Sequence, residues 1–192
     1  MNSLINETIN EYVSKSKKKD YWSGSLFEPL LKLGSDERGE LGEKIVNNLF
    51  MELTNLNIIW DGNQNINRDD GSIWDILIND HRTEIKTAMR NTSSAVWQHE
   101  KIVEYNCWDK VLFFDIDYHG IWFTTQNYGQ IPFNNELHRL LKKKSTYHLG
   151  AWKFDLSLKQ LKTLRDNKFS IFYDIRNENT EELKNFLHYH FE

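Results

Sequence analysis

Asp75, Glu84 and Lys86 have the types and spacing of a small charged site. They fall within the stretch Gly71-Ser-Ile-Trp-Asp-Ile-Leu-Ile-Asn-Asp-His-Arg-Thr-Glu-Ile-Lys86. The apolar run Ile73 to Ile78 predicts one strand and Arg82 to Ala88 a second. Asn79-Asp80 between them can turn a hairpin, although Asn-Asp is a weaker signal than Asn-Gly. A two-residue loop sets Ile78 opposite His81, and therefore Asp75 opposite Glu84. Side chains alternate along a strand, so Lys86 emerges on the same face as Glu84. Two carboxylates directly opposite one another destabilise a sheet, and a divalent cation between them removes that penalty. The pattern asks for a metal. Glu84-Ile85-Lys86 by itself is equally an alternating strand with a solvated face; Asp75 at hairpin spacing, together with a carboxylate upstream, favours a site.

The upstream carboxylate lies on a helix. Ser35-Asp36 resembles a helix start, with Glu37 and Glu40 near the positive end of its dipole. Leu41, Ile45, Leu49 and Leu53 recur every four residues, and Val46 and Phe50 broaden the apolar stripe of an amphipathic helix running to about Leu53. Glu40 and Glu43 are three apart and share a face. Glu43, at the margin of the stripe, is placed to reach the sheet edge; whether it or Glu40 faces a metal stays open, Glu40 being equally a solvated charge. Such oxygen ligands suit a hard cation of the Mg²⁺ type. No His/Cys cluster has zinc-ligand spacing, and the seven histidines are scattered.

The elements that must position these residues are readable in outline. Residues 1–34 are a polar, lysine-rich lead-in with one helix. Asn57 to Trp60 is a strand, followed after the hairpin by a helix from Ser93 to about Tyr105 carrying Val96, Trp97, Ile102 and Val103. Lys110 to Asp115 is a continuous apolar run of the kind found in a central strand covered on both faces, and Gly120 to Thr125 is the next strand. Further on, the pattern predicts a basic helix over Asn134 to Lys144, a strand over Ala151 to Leu156, a short helix after Ser157, a strand over Phe169 to Ile175 and a helix over Thr180 to Tyr189. This is an α/β chain with a mixed central β-sheet flanked by helices on both sides. It reads as a single domain, with a lead-in (1–34), a core (35–125) and a C-terminal α/β extension (126–192).

Composition limits the functions open to it. At 192 residues, 39% hydrophobic and 14% aromatic, the chain can build an ordinary core. The lone cysteine, Cys107, cannot form an internal disulfide; it fits a reducing cytosol and a buried structural role. Neither a signal peptide nor an apolar run long enough to span a bilayer is expected. The net charge of −4 is unusual for a protein that grips nucleic acid through phosphates. Local basic runs exist at Lys15 to Lys19 and Lys142 to Lys144, each more often a solvated face than a binding patch. No helix-turn-helix, zinc-finger or basic-zipper pattern is present.

Asp75, followed after eight residues by Glu84-Ile85-Lys86, with a helical Gly42-Glu43-Lys44 upstream, resembles the PD-(D/E)xK nuclease superfamily over roughly residues 36 to 125. Ile73-Trp74 stands where the motif's name would place a proline. The resemblance implies a restriction-endonuclease-like core and Mg²⁺-dependent hydrolysis of DNA phosphodiesters. By the same resemblance, Asp75, Glu84, Glu43 and the Ile85 carbonyl would hold the metal, Lys86 would orient or activate the attacking water, and Gln98, on the following helix, would steady Lys86. In size, acidic balance and lack of a DNA-reading module the chain is similar to the small subunit of heterodimeric type IIS restriction endonucleases. This implies double-stranded DNA as substrate, a larger DNA-recognising partner and a prokaryotic cytoplasm. A homodimeric restriction enzyme and a repair or resolving nuclease are the alternatives within the superfamily. A non-catalytic interaction module, its aromatics forming an interface, is the alternative outside it.

Overall fold

The computed structural model describes residues 21–60, 74–103, 108–127, 141–143 and 151–192. A 3₁₀ turn, Glu28–Lys32, precedes helix α1, Ser35–Leu53. Strands β1 (Ile58–Trp60), β2 (Ile76–Ile78) and β3 (His81–Met89) follow, then β4 (Val96–Val103), β5 (Lys110–Asp117) and β6 (Gly120–Asn127). The remainder comprises β7 (Leu141–Lys143), β8 (Ala151–Ser157), α2 (Leu158–Asp166), β9 (Ser170–Asp174) and α3 (Thr180–Phe191). No helix among the described residues is long and apolar enough to cross a membrane.

The main sheet has six strands in the order β1-β2-β3-β5-β6-β9, with β3 and β5 parallel and the other pairs antiparallel. A second sheet, β4-β8-β7, is antiparallel. β5 lies in the middle of the main sheet and is buried from Lys110 to Ile116, as its unbroken apolar run requires. One face of the main sheet packs under α1 and α3: Val46 and Phe50 meet Leu187 and Phe191 over Ile85, Leu112, Phe114 and Phe123. Phe50 and Phe191 close this layer edge to face, with ring centroids 5.1 Å apart. The other face packs under the small sheet and α2. The result is a mixed α/β fold with a central sheet flanked by helices, one face being shared between a helix and a second sheet.

Several expectations need correction. The segment after Ser93 is strand β4, not a helix. Trp97 and His99 are buried while Gln98 and Glu100 are exposed, a period of two that a sequence reading for apolar content alone overlooks. β-branched Val96, Ile102 and Val103 favour the same outcome. Leu141–Lys143 is likewise strand, where a basic helix was expected; the rest of that helix, Cys107, Ile73 and most of the lead-in lie outside the described residues. The buried line of α1 runs through Gly42, Val46 and Phe50, whereas Leu41, Ile45, Leu49 and Leu53 are half-buried flanks. Gly42 moves the line: a Cβ there would stand 1.8 Å from Thr87 Oγ1, so only glycine lets α1 settle this close to β3. The helix starts at Ser35 as expected, with Gly34 as N-cap and the Glu37 carboxylate accepting from its N–H at 2.7 Å.

Candidate active site

The hairpin forms with the expected register. Ile78 pairs with His81, Leu77 with Arg82 and Ile76 with Thr83. The turn residue Asn79 takes φ +50°, a conformation asparagine tolerates better than most residues. Its side chain fixes the turn, donating to the Phe191 carbonyl at 2.8 Å and accepting from Asn57 N–H at 2.9 Å.

Asp75 sits one residue before β2, where the paired register with β3 ends at Ile76 and Thr83. Its N–H donates to the Thr83 carbonyl at 3.0 Å, and its carboxylate accepts from the Ile85 N–H at 2.6 Å. The side chain thereby takes over from the backbone ladder where β2 stops pairing. A strand residue directs its N–H and C=O to the same side, so the Ile85 carbonyl also points to the edge where Asp75 stands.

Glu84 and Lys86 share the face of β3 that looks toward the small sheet. Their β5 neighbours are Val111 and Phe113, and both of those belong to the core on that face. Glu84 is only 6% exposed. One of its oxygens pairs with the Lys86 ammonium, while the other, Oε2, is buried without a hydrogen-bond partner. A buried carboxylate oxygen left unsatisfied is costly. This one stands beside a second carboxylate, as a ligand atom awaiting a cation would.

The electrostatics tie in the helix. Burial raises the Asp75 carboxyl well above the ordinary carboxylate range, and the nearby charges of Glu84 and Glu43 push it further, against the Ile85 N–H and Lys86. Burial pulls the Lys86 ammonium down, but Glu84, Asp75 and Glu43 outweigh it, and its pKa ends above the lysine norm. Glu43 is half-buried and its field reaches both residues; the close seat of α1 at Gly42 brings it there. Glu40 is exposed. The structure therefore brings together Asp75, Glu84, Lys86, the Ile85 backbone and Glu43.

It does not bring in Gln98 as expected. Gln98 is exposed on a strand rather than seated on a helix, alternating with the buried Trp97 and His99. No hydrogen bond joins it to Lys86.

Among the described residues, no three acidic, histidine or cysteine side chains stand close enough to form a ready-made cation cage. The like-charged groups are instead held apart, Glu84 by Lys86 and Asp75 by the Ile85 N–H.

A second buried cluster escaped the sequence reading. His99 Nε2 and Asp115 Oδ1 are 2.9 Å apart with both side chains fully buried. His99 lies against the Phe113 ring at 4.6 Å. The pair is close but misaligned for a hydrogen bond, since neither ring nitrogen nor either Asp115 oxygen has a partner of good geometry. Burial raises the Asp115 carboxyl, and His99 opposes that. The period-two pattern Trp97-x-His99 was the available signal.

No family model, curated protein or solved structure matches the chain.

Proposed function

We propose that the chain is a Mg²⁺-dependent DNA endonuclease with a restriction-endonuclease-like core, whose active site is Asp75, Glu84 and Lys86 with Glu43 and the Ile85 carbonyl. The observation that carries this reading is the buried, unpartnered Glu84 Oε2 beside Lys86 and within the electrostatic reach of Asp75, on which Glu43 also acts. These oxygens fit Mg²⁺, which accepts few protein ligands and keeps several waters. When bound, Mg²⁺ would supply Lewis acidity at the phosphate and a more acidic water. Asp75 and Glu84 would hold it, with the Ile85 carbonyl completing the donor set and Glu43 acting directly or through water.

Lys86 is a cation in this environment, held so by its carboxylate neighbours. Its role is accordingly to donate a hydrogen bond to the attacking water and to offset charge developing on the phosphate, rather than to remove a proton. The Asp75 carboxylate, gripping the Ile85 N–H, also fixes the strand edge on which that geometry depends. The family's motif is matched by these residues, not by Gln98, which lends the reading no support.

With a net charge of −4, the chain is read as one strand-cleaving subunit that relies on a larger, DNA-recognising partner. Digestion of supercoiled plasmid with the chain alone, and with candidate partners, tests this. The expected outcome is site-specific double-strand cleavage in the complex and a single-strand nick when the chain carries Asp75→Ala. Site-specific double-strand cleavage by the purified chain alone would restore the homodimer. Undiminished cleavage by Asp75→Ala would remove the active-site assignment.

A further inference from the structure

Strand β3 does not end at its charged residues. Beyond Lys86, Thr87 to Arg90 form one wall of a cleft of about 490 Å³. Arg38 on the first turns of α1 lines another side, and Gln98 on β4 a third. In a chain with more acidic than basic residues, no carboxylate among the described residues lines this cleft.

Its two guanidinium groups differ. Arg90 is committed: it donates to the Tyr21 hydroxyl at 2.7 Å, lies 3.4 Å from Asp117 and is stacked between the Tyr21 and Trp97 rings. Asp117 offsets its charge, and the rings hold it rigid as part of the wall. Among the described residues the half-buried Arg38 side chain has no hydrogen bond or ion pair, and its backbone N–H is used within the helix turn to Gly34. Thr92 and Gln98 add neutral donors at the rim, exposed and without side-chain partners.

We propose that this cleft binds the phosphodiester backbone of the DNA strand flanking the cleaved bond, with Arg38 as its principal phosphate contact. The inference rests on the nuclease reading of the adjoining site. From Lys86 to Arg90 the strand covers about 13 Å, so a phosphate in the cleft lies within a few nucleotides of one at Lys86. A planar guanidinium with all its donors available is suited to bidentate phosphate contact. The uncommitted guanidinium of Arg38 gives an acidic chain a point of attachment for DNA.

The test is the salt dependence of duplex binding by the full chain without Mg²⁺, so that nothing is cut, with inorganic phosphate as competitor in a second arm. Arg38→Ala should weaken binding roughly tenfold at low salt and lower the slope of log affinity against log salt by about 0.9, the loss of one phosphate contact. Arg38→Lys should recover the slope. Lys44→Ala removes one charge from the exposed side of the same helix and should leave the slope unchanged. Arg38→Ala with wild-type affinity and slope overturns the inference even where plasmid is still cleaved, and the active-site reading then stands. Equal losses in Arg38→Ala and Lys44→Ala reduce the effect to net charge and also overturn it. Inorganic phosphate that binds through Arg38 while DNA affinity is independent of that residue assigns the cleft to a free anion instead. A chain that neither binds nor cuts DNA overturns both readings.

Discussion

Glu84 and Asp115 stand on neighbouring parallel strands and on the same face of the main sheet, because Glu84 pairs with Val111 and Ala88 with Asp115. Both are buried, at 6% and 0% exposure. Asp115 is sealed under the small sheet with His99 as its counterpart and aromatic rings around both. Glu84 is half satisfied by Lys86, with Asp75 and Glu43 adding charge of the same sign beside it. A sealed pair has no route for solvent or substrate and belongs to the architecture. Carboxylates neutralised only in part, as around Glu84, should lower the stability of the metal-free protein, and on the proposed reading a cation would relieve that cost. Two buried carboxylates one strand apart thus differ in their surroundings: a histidine faces Asp115, while a lysine and further carboxylates surround Glu84.

The largest expected effect separates the two regions by catalysis. Asp75→Ala and Glu84→Ala should each lower Mg²⁺-dependent cleavage by about a thousandfold or more, and Lys86→Ala by about a hundredfold, while DNA binding persists. Lys44→Ala, exposed on the same molecule, should change the rate little. Single-turnover cleavage of a labelled duplex checks this. Equal losses in Lys86→Ala and Lys44→Ala would reduce Lys86 to general electrostatics.

Stability should reverse the ranking. His99→Ala or Asp115→Ala leaves the other, fully buried polar side chain alone, and an unsatisfied buried polar group costs about 1–3 kcal/mol. Asp75→Asn in metal-free protein should cost nothing or stabilise, since it removes a charge that burial and two glutamates oppose. Urea denaturation of the three variants makes the comparison. A large loss from Asp75→Asn would mark that residue as structural.

Gly42 ties the helix to the site and predicts a smaller effect. Alanine is better than glycine in a helix interior by about 1 kcal/mol, yet here its Cβ would collide with Thr87 Oγ1. Overpacking of this kind costs about 1–3 kcal/mol, so Gly42→Ala should be net destabilising and should slow cleavage by displacing Glu43. Gly39→Ala, whose Cβ meets nothing within 4 Å, is the control and should stabilise slightly. The subtlest effect is on pH. The Asp75 carboxyl is raised in the folded state, so the fold binds a proton that the unfolded chain releases. Metal-free stability should therefore fall as pH rises through the ordinary carboxylate range toward the raised value, and Asp75→Asn should flatten that part of the profile.

How much of this was legible follows from where the information resides. The hairpin was readable because a two-residue turn fixes register, and register fixes which side chains meet. The central strand announced itself by an apolar run covered on both faces. Segment 96–103 was misread because Trp97, Ile102 and Val103 are compatible with either period; the decisive alternation involves His99, a polar residue buried only because Asp115 meets it from another strand. The line of contact on α1 was misplaced by one residue because side-chain hydrophobicity cannot register a glycine that acts by being absent. Arg38 and the cleft depend on three elements distant in sequence, and no local pattern carries them.

On the proposed reading Asp75 and Glu84, unlike the sealed His99–Asp115 pair, hold a cation. Thermal unfolding with increasing Mg²⁺ tests it most directly, because a ligand bound to the folded state raises its melting temperature by mass action. Wild-type protein should show a Mg²⁺-dependent rise that Asp75→Ala and Glu84→Ala both abolish and Lys44→Ala retains. A wild-type protein indifferent to Mg²⁺, or a rise undiminished in Glu84→Ala, would contradict the account.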